Sequence, residues 1–273
     1  MVKKAFDLLK DNPVIIGFYC ITQLLLLLIL FLLFPSNINQ FMENGNINFA
    51  VYMMMMAKML LACGLMLLLY ILFIPGFSYM LSEAALKGKT SARSFLPGLK
   101  QFFVRTLLLL LLLIAASFAF GIIISMITIP FAMVQVMGGN GTQSLTLFIT
   151  IFTLFVTILV IPFVLLCVPS IFIDDVNIFQ GIKNGAKAGV KNYWKLVVML
   201  LIIYLPIIFY QIICYDSISQ GIIITPGYIG LIIFSGILSL FIFSLIFVIY
   251  RDYRMEQINN QSNNQINNQG TIL

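Results

Sequence analysis

Asp174 and Asp175 are the only adjacent acidic residues in a chain of 273, and two neighbouring carboxylates can hold a divalent cation when further oxygen ligands come to meet them. The competing reading is a solvated helix start. Histidine is absent, which removes the commonest general base, the commonest zinc ligand and every His-dependent triad. Cys20, Cys63, Cys167 and Cys214 each lie in or at the margin of an apolar run, and no two have CxxC spacing. They read as small apolar residues, with a disulfide or thiol role near a membrane face as the alternative. Gly138-Gly139-Asn140-Gly141 lacks the lysine and the strand-helix setting of a phosphate loop and reads as a turn, while Asn140-Gly141-Thr142 has the form of a glycosylation acceptor. The chain is therefore expected to be non-enzymatic and to take no cofactor or metal.

The residues with the clearest physical purpose are basic. At about 100° per residue, Ile178, Phe179, Ile182, Ala186, Val190 and Tyr193 share one arc of a helix. Asn177, Gln180, Asn184, Lys187 and Lys191 share another, with Lys183 and Trp194 at the boundary. Such a helix lies in the headgroup plane, its apolar arc in the acyl boundary and its lysines against anionic phosphates. Lys183, Lys187, Lys191, Trp194 and Lys195 are accordingly the candidate lipid-interface residues; Trp194 is the single tryptophan, a residue favoured at that depth. Gly181, Gly185 and Gly189 recur at i, i+4. Two readings stand: a smooth strip that admits another helix at close range, or glycines that merely loosen a short surface helix.

The elements that must position these residues follow from composition. A soluble domain is roughly 45–50% apolar and about 25% charged, whereas this chain is 62% apolar and 9% charged, with a mean hydropathy of +1.09. Six apolar stretches, Val14 to Phe34, Val51 to Leu81, Phe102 to Val134, Ser144 to Ile173, Leu196 to Cys214 and Gly227 to Tyr250, approach or exceed the roughly 20 residues a helix needs to cross a bilayer. Uniform runs such as Leu107 to Leu113 lack the alternation of a membrane barrel, so the fold class is all-α, a polytopic membrane protein of six transmembrane helices. No ionisable residue falls near mid-membrane; Gln23, Ser117, Ser125, Thr128, Thr150, Thr153, Thr157 and Gln211 are the polar residues there, expected to make interhelical hydrogen bonds.

Fourteen of the fifteen Lys and Arg residues lie in the N-terminal segment, in the connections after the second and fourth stretches, and just after the sixth. By the positive-inside rule those segments and both termini are cytoplasmic. Lys58, the exception, reaches the opposite interface on its long stem. This topology accounts for the net charge of +6, so nucleic acid is not an expected partner. The retained first stretch is too long for a cleavable signal peptide.

Leu9-Lys10-Asp11-Asn12-Pro13, Leu99-Lys100-Gln101-Phe102-Phe103 and Val190-Lys191-Asn192-Tyr193-Trp194 each stand just before an apolar stretch, their lysines 90 and 91 residues apart. The period predicts a triplicated unit of one interfacial amphipathic helix and one transmembrane hairpin, with repeats at about 1–81, 91–173 and 177–250 in a membrane domain spanning 1–254. Residues 255–273, rich in Asn and Gln, are expected to be a disordered cytoplasmic tail.

The helix-then-hairpin layout, Lys191-Asn192-Tyr193-Trp194-Lys195 and Tyr250-Arg251-Asp252-Tyr253-Arg254 together resemble the membrane domain that precedes the catalytic domain in some bacterial glycerophosphodiester phosphodiesterases, and the six-helix relatives that occur alone. The resemblance covers roughly residues 1 to 254. It implies a multi-pass protein of the bacterial plasma membrane; no phosphodiesterase chemistry is implied, because these residues include neither the catalytic domain nor a histidine. The function expected from the residues is envelope organisation through anionic lipid or partner helices, the partner being another membrane protein or a second copy. The alternative is a permease subunit working with a separate ATPase.

Overall fold

A computed structural model describes residues 1–33, 42–43, 46–47, 49–137, 160–202 and 226–270. Apart from a two-residue antiparallel pairing of Met42–Glu43 with Asn46–Ile47, the described chain is helical: α1 Val2–Asp11, α2 Pro13–Leu33, α3 Phe49–Lys87, α4 Phe95–Met137, α5 Cys167–Ile173, α6 Ile178–Lys191, α7 Tyr193–Ile202 and α8 Pro226–Gly270. A 3-10 turn, Ala92–Ser94, leads into α4. The apolar stretch ahead of α5 is helical from Val160.

Four of these helices are long and apolar enough to cross a membrane, over Pro13–Leu33, Met53–Lys87, Ala92–Met126 and Ile233–Asn263. Three of them leave their apolar residues largely uncovered by protein, only 6% of the most apolar window of Ala92–Met126 being buried, whereas half of that of Ile233–Asn263 is covered. Leu24, Leu28, Phe31, Phe118 and Met126 are all exposed. Exposed apolar side chains in such number are compatible with a hydrocarbon surrounding. The fourth and fifth expected crossings are described only over 160–173 and 196–202, and the rest of both lies outside the described residues.

The chain divides into two compact units, residues 1–103 with 194–273, and residues 104–193. In the first, α1 is short and carries Ala5, Leu8 and Leu9 on one buried face, the i, i+3, i+4 spacing of an amphipathic helix. It packs on α2 and α8. The core there is formed by Met80 and Leu81 of α3 with Phe247, Val248 and Tyr250 of α8. Aromatic rings join α2 to its neighbours: Phe18 stacks on Phe95 at 4.7 Å and Tyr19 meets Phe77 at 5.6 Å. Gly98 admits Tyr79, since a Cβ there would stand 2.4 Å from the tyrosine Cβ. In the second unit α5 and α6 form a tight antiparallel pair.

Two expectations change. The second surface helix is not a separate element, because α4 runs without a break from Phe95 into its apolar stretch. Where Asn12 and Asn192 interrupt the chain before α2 and α7, the corresponding residue is Phe102, buried to 1% exposure with its ring 5.7 Å from Tyr79; it has no amide to turn back on the preceding carbonyls. The tail expected to be disordered continues α8 as far as Gly270. An existing helix grows by one hydrogen bond per added residue without a second nucleation step, and Gln257 Nε2 donates to Tyr253 Oη one turn back. The Ser117 and Ser125 hydroxyls donate to Leu113 O and Gly121 O of their own helix.

Candidate functional site

Asn177 starts α6: its side chain accepts a hydrogen bond from Gln180 N, the N-cap arrangement. The acidic pair is thus the end of α5, not a helix start. Asp175 holds the turn in the left-handed region at φ 49°, which Asp tolerates better than most residues. Its carboxylate pairs with Arg105 at 2.6 Å, while Asp174 Oδ2 accepts from Asn184 Nδ2 at 3.1 Å. Both carboxylates therefore fasten the α5–α6 turn to α4 and α6. Among the described residues no three Cys, Asp or Glu side chains converge as a metal-binding group.

The glycine strip is the packing face. A Cβ on Gly181 would lie 2.3 Å from Ile171 Cγ1, one on Gly185 2.6 Å from the backbone N and Cα of Cys167, and one on Gly189 2.8 Å from Pro162 O. Gly181, Gly185, Ala188 and Gly189 are buried, and Ser170 Oγ reaches across to donate to Gly181 O. The close-approach reading of these glycines holds, and the partner is the helical stretch ending in α5.

Docking through glycine leaves α6 with two further faces. Phe179 and Val190 are 78% and 63% exposed, and Ile182 and Ala186 are half-buried beside them. Lys183, Lys187 and Lys191 are exposed on the adjoining face. So the structure brings three of the five candidate residues together on α6. Trp194 and Lys195 stand on the first turn of α7, in the first unit, where Trp194 is 75% exposed. With Val2, Val198, Ile202 and Phe241 they line an apolar groove of about 610 Å³.

The corner before each of α2 and α7 is an asparagine. Asn12 Nδ2 donates to Leu8 O at 2.8 Å, and Asn192 Nδ2 to Ala188 O at 3.1 Å. Asn12 does more: it also donates to Gly88 O and accepts from Thr90 N, tying the α1–α2 corner to the end of α3. The two residues are 180 positions apart, so helix geometry aligns the first and third copies one residue out of step with the lysine motif. Nearby, Lys4 bridges to Asp252 at 2.8 Å and Arg251 Nη1 donates to Ala85 O. Of the cysteines, Cys20 and Cys63 are exposed thiols and Cys167 a buried one; Cys214 lies outside the described residues.

Sequence reasoning missed the reach of Asn12 and the Arg105–Asp175 bridge, for which partners 76 and 70 residues away leave no local trace. It also passed over Ser78 and Ser239, which line a cavity with Gln23. Compared with protein-family models, curated proteins and solved structures, the chain matches none.

Proposed function

We propose that the chain is a non-enzymatic integral membrane protein of a bacterial plasma membrane that crosses the bilayer six times with both termini in the cytoplasm, and that α6 and the first turn of α7 engage anionic lipid at the inner surface. One observation carries the reading: α6 docks through glycines, so its apolar side chains and its lysines are both left outward and adjoining. A globular protein would bury Phe179 and Val190. A headgroup plane accepts them as they stand, with the acyl boundary on one side and phosphates on the other. The one-sided distribution of lysine and arginine supports the orientation. The matching asparagine corners before α2 and α7 support a repeated unit of surface helix and hairpin, and with the resemblance to phosphodiesterase membrane domains they favour the bacterial six-helix reading.

Trp194 reports on this directly, being the single tryptophan. In vesicles containing phosphatidylglycerol, its emission should be quenched most by lipids brominated near the glycerol backbone and little by aqueous iodide. Replacing Lys183, Lys187 and Lys191 together by Gln should weaken the purified protein's affinity for phosphatidylglycerol by about one to two orders of magnitude, since each lysine near an anionic surface contributes about 1 kcal/mol. Iodide quenching as strong as that of free tryptophan, or unchanged affinity, would overturn the proposal. Co-purification of a nucleotide-binding ATPase would transfer it to the permease reading.

A further inference from the structure

We infer that the groove between α7 and α8 seats one anionic glycerophospholipid of the cytoplasmic leaflet, its phosphate against Lys195 and one acyl chain along the groove. The inference deepens the reading of the first turn of α7 as a lipid surface and rests on it. The groove, about 610 Å³ in volume, is lined from α1, α7 and α8 and lies wholly within the first unit. It has a floor and a rim. Met199 of α7 and Leu245 and Ile249 of α8 are buried in its lining, whereas Trp194, Val198 and Ile202, at i, i+4 and i+8 along α7, stand exposed.

Its two ends differ. The Lys4–Asp252 bridge sets the start of α1 beside the end of the apolar run of α8, so Val2 and Ile249 share the end at which Trp194 and Lys195 open α7. On the proposed topology that end is cytoplasmic. From there α7 rises roughly 10 Å between Lys195 and Ile202, and α8 roughly 12 Å between Ile249 and Phe241. The groove thus follows most of one leaflet, about 15 Å or half of the hydrocarbon core, which is the reach of a single acyl chain. Beyond Lys195 the lining offers that chain only apolar side chains.

Charge selects the head. Among the described residues of the lining, Lys195 alone has a charged side chain, and no carboxylate joins it. A zwitterionic lipid would bring a second ammonium to the lysine, while a phosphodiester with an uncharged substituent brings only the complementary charge. An ammonium has three donors, so a phosphate adds to the contacts the lysine already makes. Trp194 beside it carries the apolar ring and single N–H that suit the ester level of a bilayer. The exposed Leu24 and Leu28 of α2 and Phe118 of α4 have no Lys or Arg within two turns along their helices, so those surfaces meet lipid without choosing its head.

Dioleoylphosphatidylglycerol and dioleoylphosphatidylcholine share their chains and differ in the head. The full chain is reconstituted in phosphatidylcholine vesicles holding a small fraction of phosphatidylglycerol with a diazirine in one acyl chain, then irradiated, and the labelled residues are mapped. Labelling should concentrate between Val198 and Ile202 and between Phe241 and Leu245, saturate at a single lipid per chain, and fall on adding dioleoylphosphatidylglycerol but not dioleoylphosphatidylcholine. Val198→Trp, which fills the groove from an exposed position, should abolish that labelling with no fall in melting temperature. Lys195→Gln should weaken competition by the anionic lipid about fivefold, the worth of one lysine at an anionic headgroup, and Lys195→Arg should preserve it. Labelling spread evenly over α2, α4 and α8, equal competition by the two lipids, or a groove left unlabelled because a second copy fills it would overturn the inference. With Trp194 still shielded from iodide, such a result removes the seated lipid and leaves the surface reading of α7 standing; strong iodide quenching removes both.

Discussion

α1 and α6 carry the same kind of sequence, a short basic amphipathic helix ahead of an apolar stretch, and dock by opposite means. α1 buries side chains, Ala5, Leu8 and Leu9, against the helices around it. α6 buries the absence of side chains, bringing its backbone onto that of the stretch ending in α5 through Gly181, Gly185 and Gly189. The consequence lies in what remains outside. α1 spends Ala5, Leu8 and Leu9 within the protein and leaves Val2 and Phe6 outward, whereas α6 leaves Phe179 and Val190 outward beside three lysines and buries only Gly181, Gly185, Ala188 and Gly189. Equal amphipathicity thus yields docking through leucine side chains in one place and through bare backbone in the other.

Adding atoms to α6 should break that contrast most sharply. Gly185→Leu drives a side chain into the Cys167 backbone, which cannot move aside as a flexible side chain would. It should destabilise the purified protein by about 3 kcal/mol or more, read as a fall in melting temperature in detergent. Gly121 in the same unit and Gly17 in α2 have open space at the Cβ position. Ala at either should be neutral or stabilising by up to about 1 kcal/mol. If all three substitutions cost alike, the close approach is not what holds α6.

Removing atoms should hurt α1 and spare α6. Leu8→Ala is expected to cost about 2–4 kcal/mol, and Phe179→Ala less than about 0.5 kcal/mol in detergent, with the effect of the latter appearing only as weaker lipid retention. A large loss of stability for Phe179→Ala would mean that its side chain is covered by protein and that the two helices are alike after all.

The asparagine corners sharpen the comparison further. Asn12→Ala leaves Gly88 O and Thr90 N without their partner and should cost about 2–3 kcal/mol. Asn192→Ala removes the bond to Ala188 O and should cost at least about 1 kcal/mol. Thermal unfolding of both variants under one condition checks the order; the reverse order would show that the α6–α7 corner carries the longer-range tie.

How much of this was readable beforehand depended on distance along the chain. The i, i+4 glycines announced a smooth strip, because helical periodicity is local; that the strip faces the stretch ending in α5 is a tertiary fact with no local trace. The basic arc of α6 was readable for the same reason, and the four apolar helices followed from length and hydropathy. Asn12 looked like one more polar residue in a short motif, since its meaning lies in Gly88 and Thr90. At Phe102 the motif promised a separate surface helix, but motif matching weighs lysine and position, while the break depends on an amide that this copy lacks.

The smallest expected effect concerns the one ion pair that α1 adds to its apolar docking. Asp252 lies just beyond the apolar run of α8. Burial pushes its carboxyl up, but the hydrogen bonds from the Lys4 ammonium and the Arg251 guanidinium outweigh this and hold it below the usual carboxylate range. A carboxyl whose pKa is depressed on folding contributes stability above its unfolded pKa and loses it as pH falls through the folded one. Stability should therefore be flat on this account from neutral pH to about 5 and decline below about 4. With Lys4 more than half exposed, the bridge contributes about 0.2–1 kcal/mol. Asp252→Asn should remove that share of the acid dependence and, at neutral pH, cost far less than Leu8→Ala. A pH profile unchanged by Asp252→Asn would leave α1 held by its apolar face alone, widening its contrast with a helix held by its backbone.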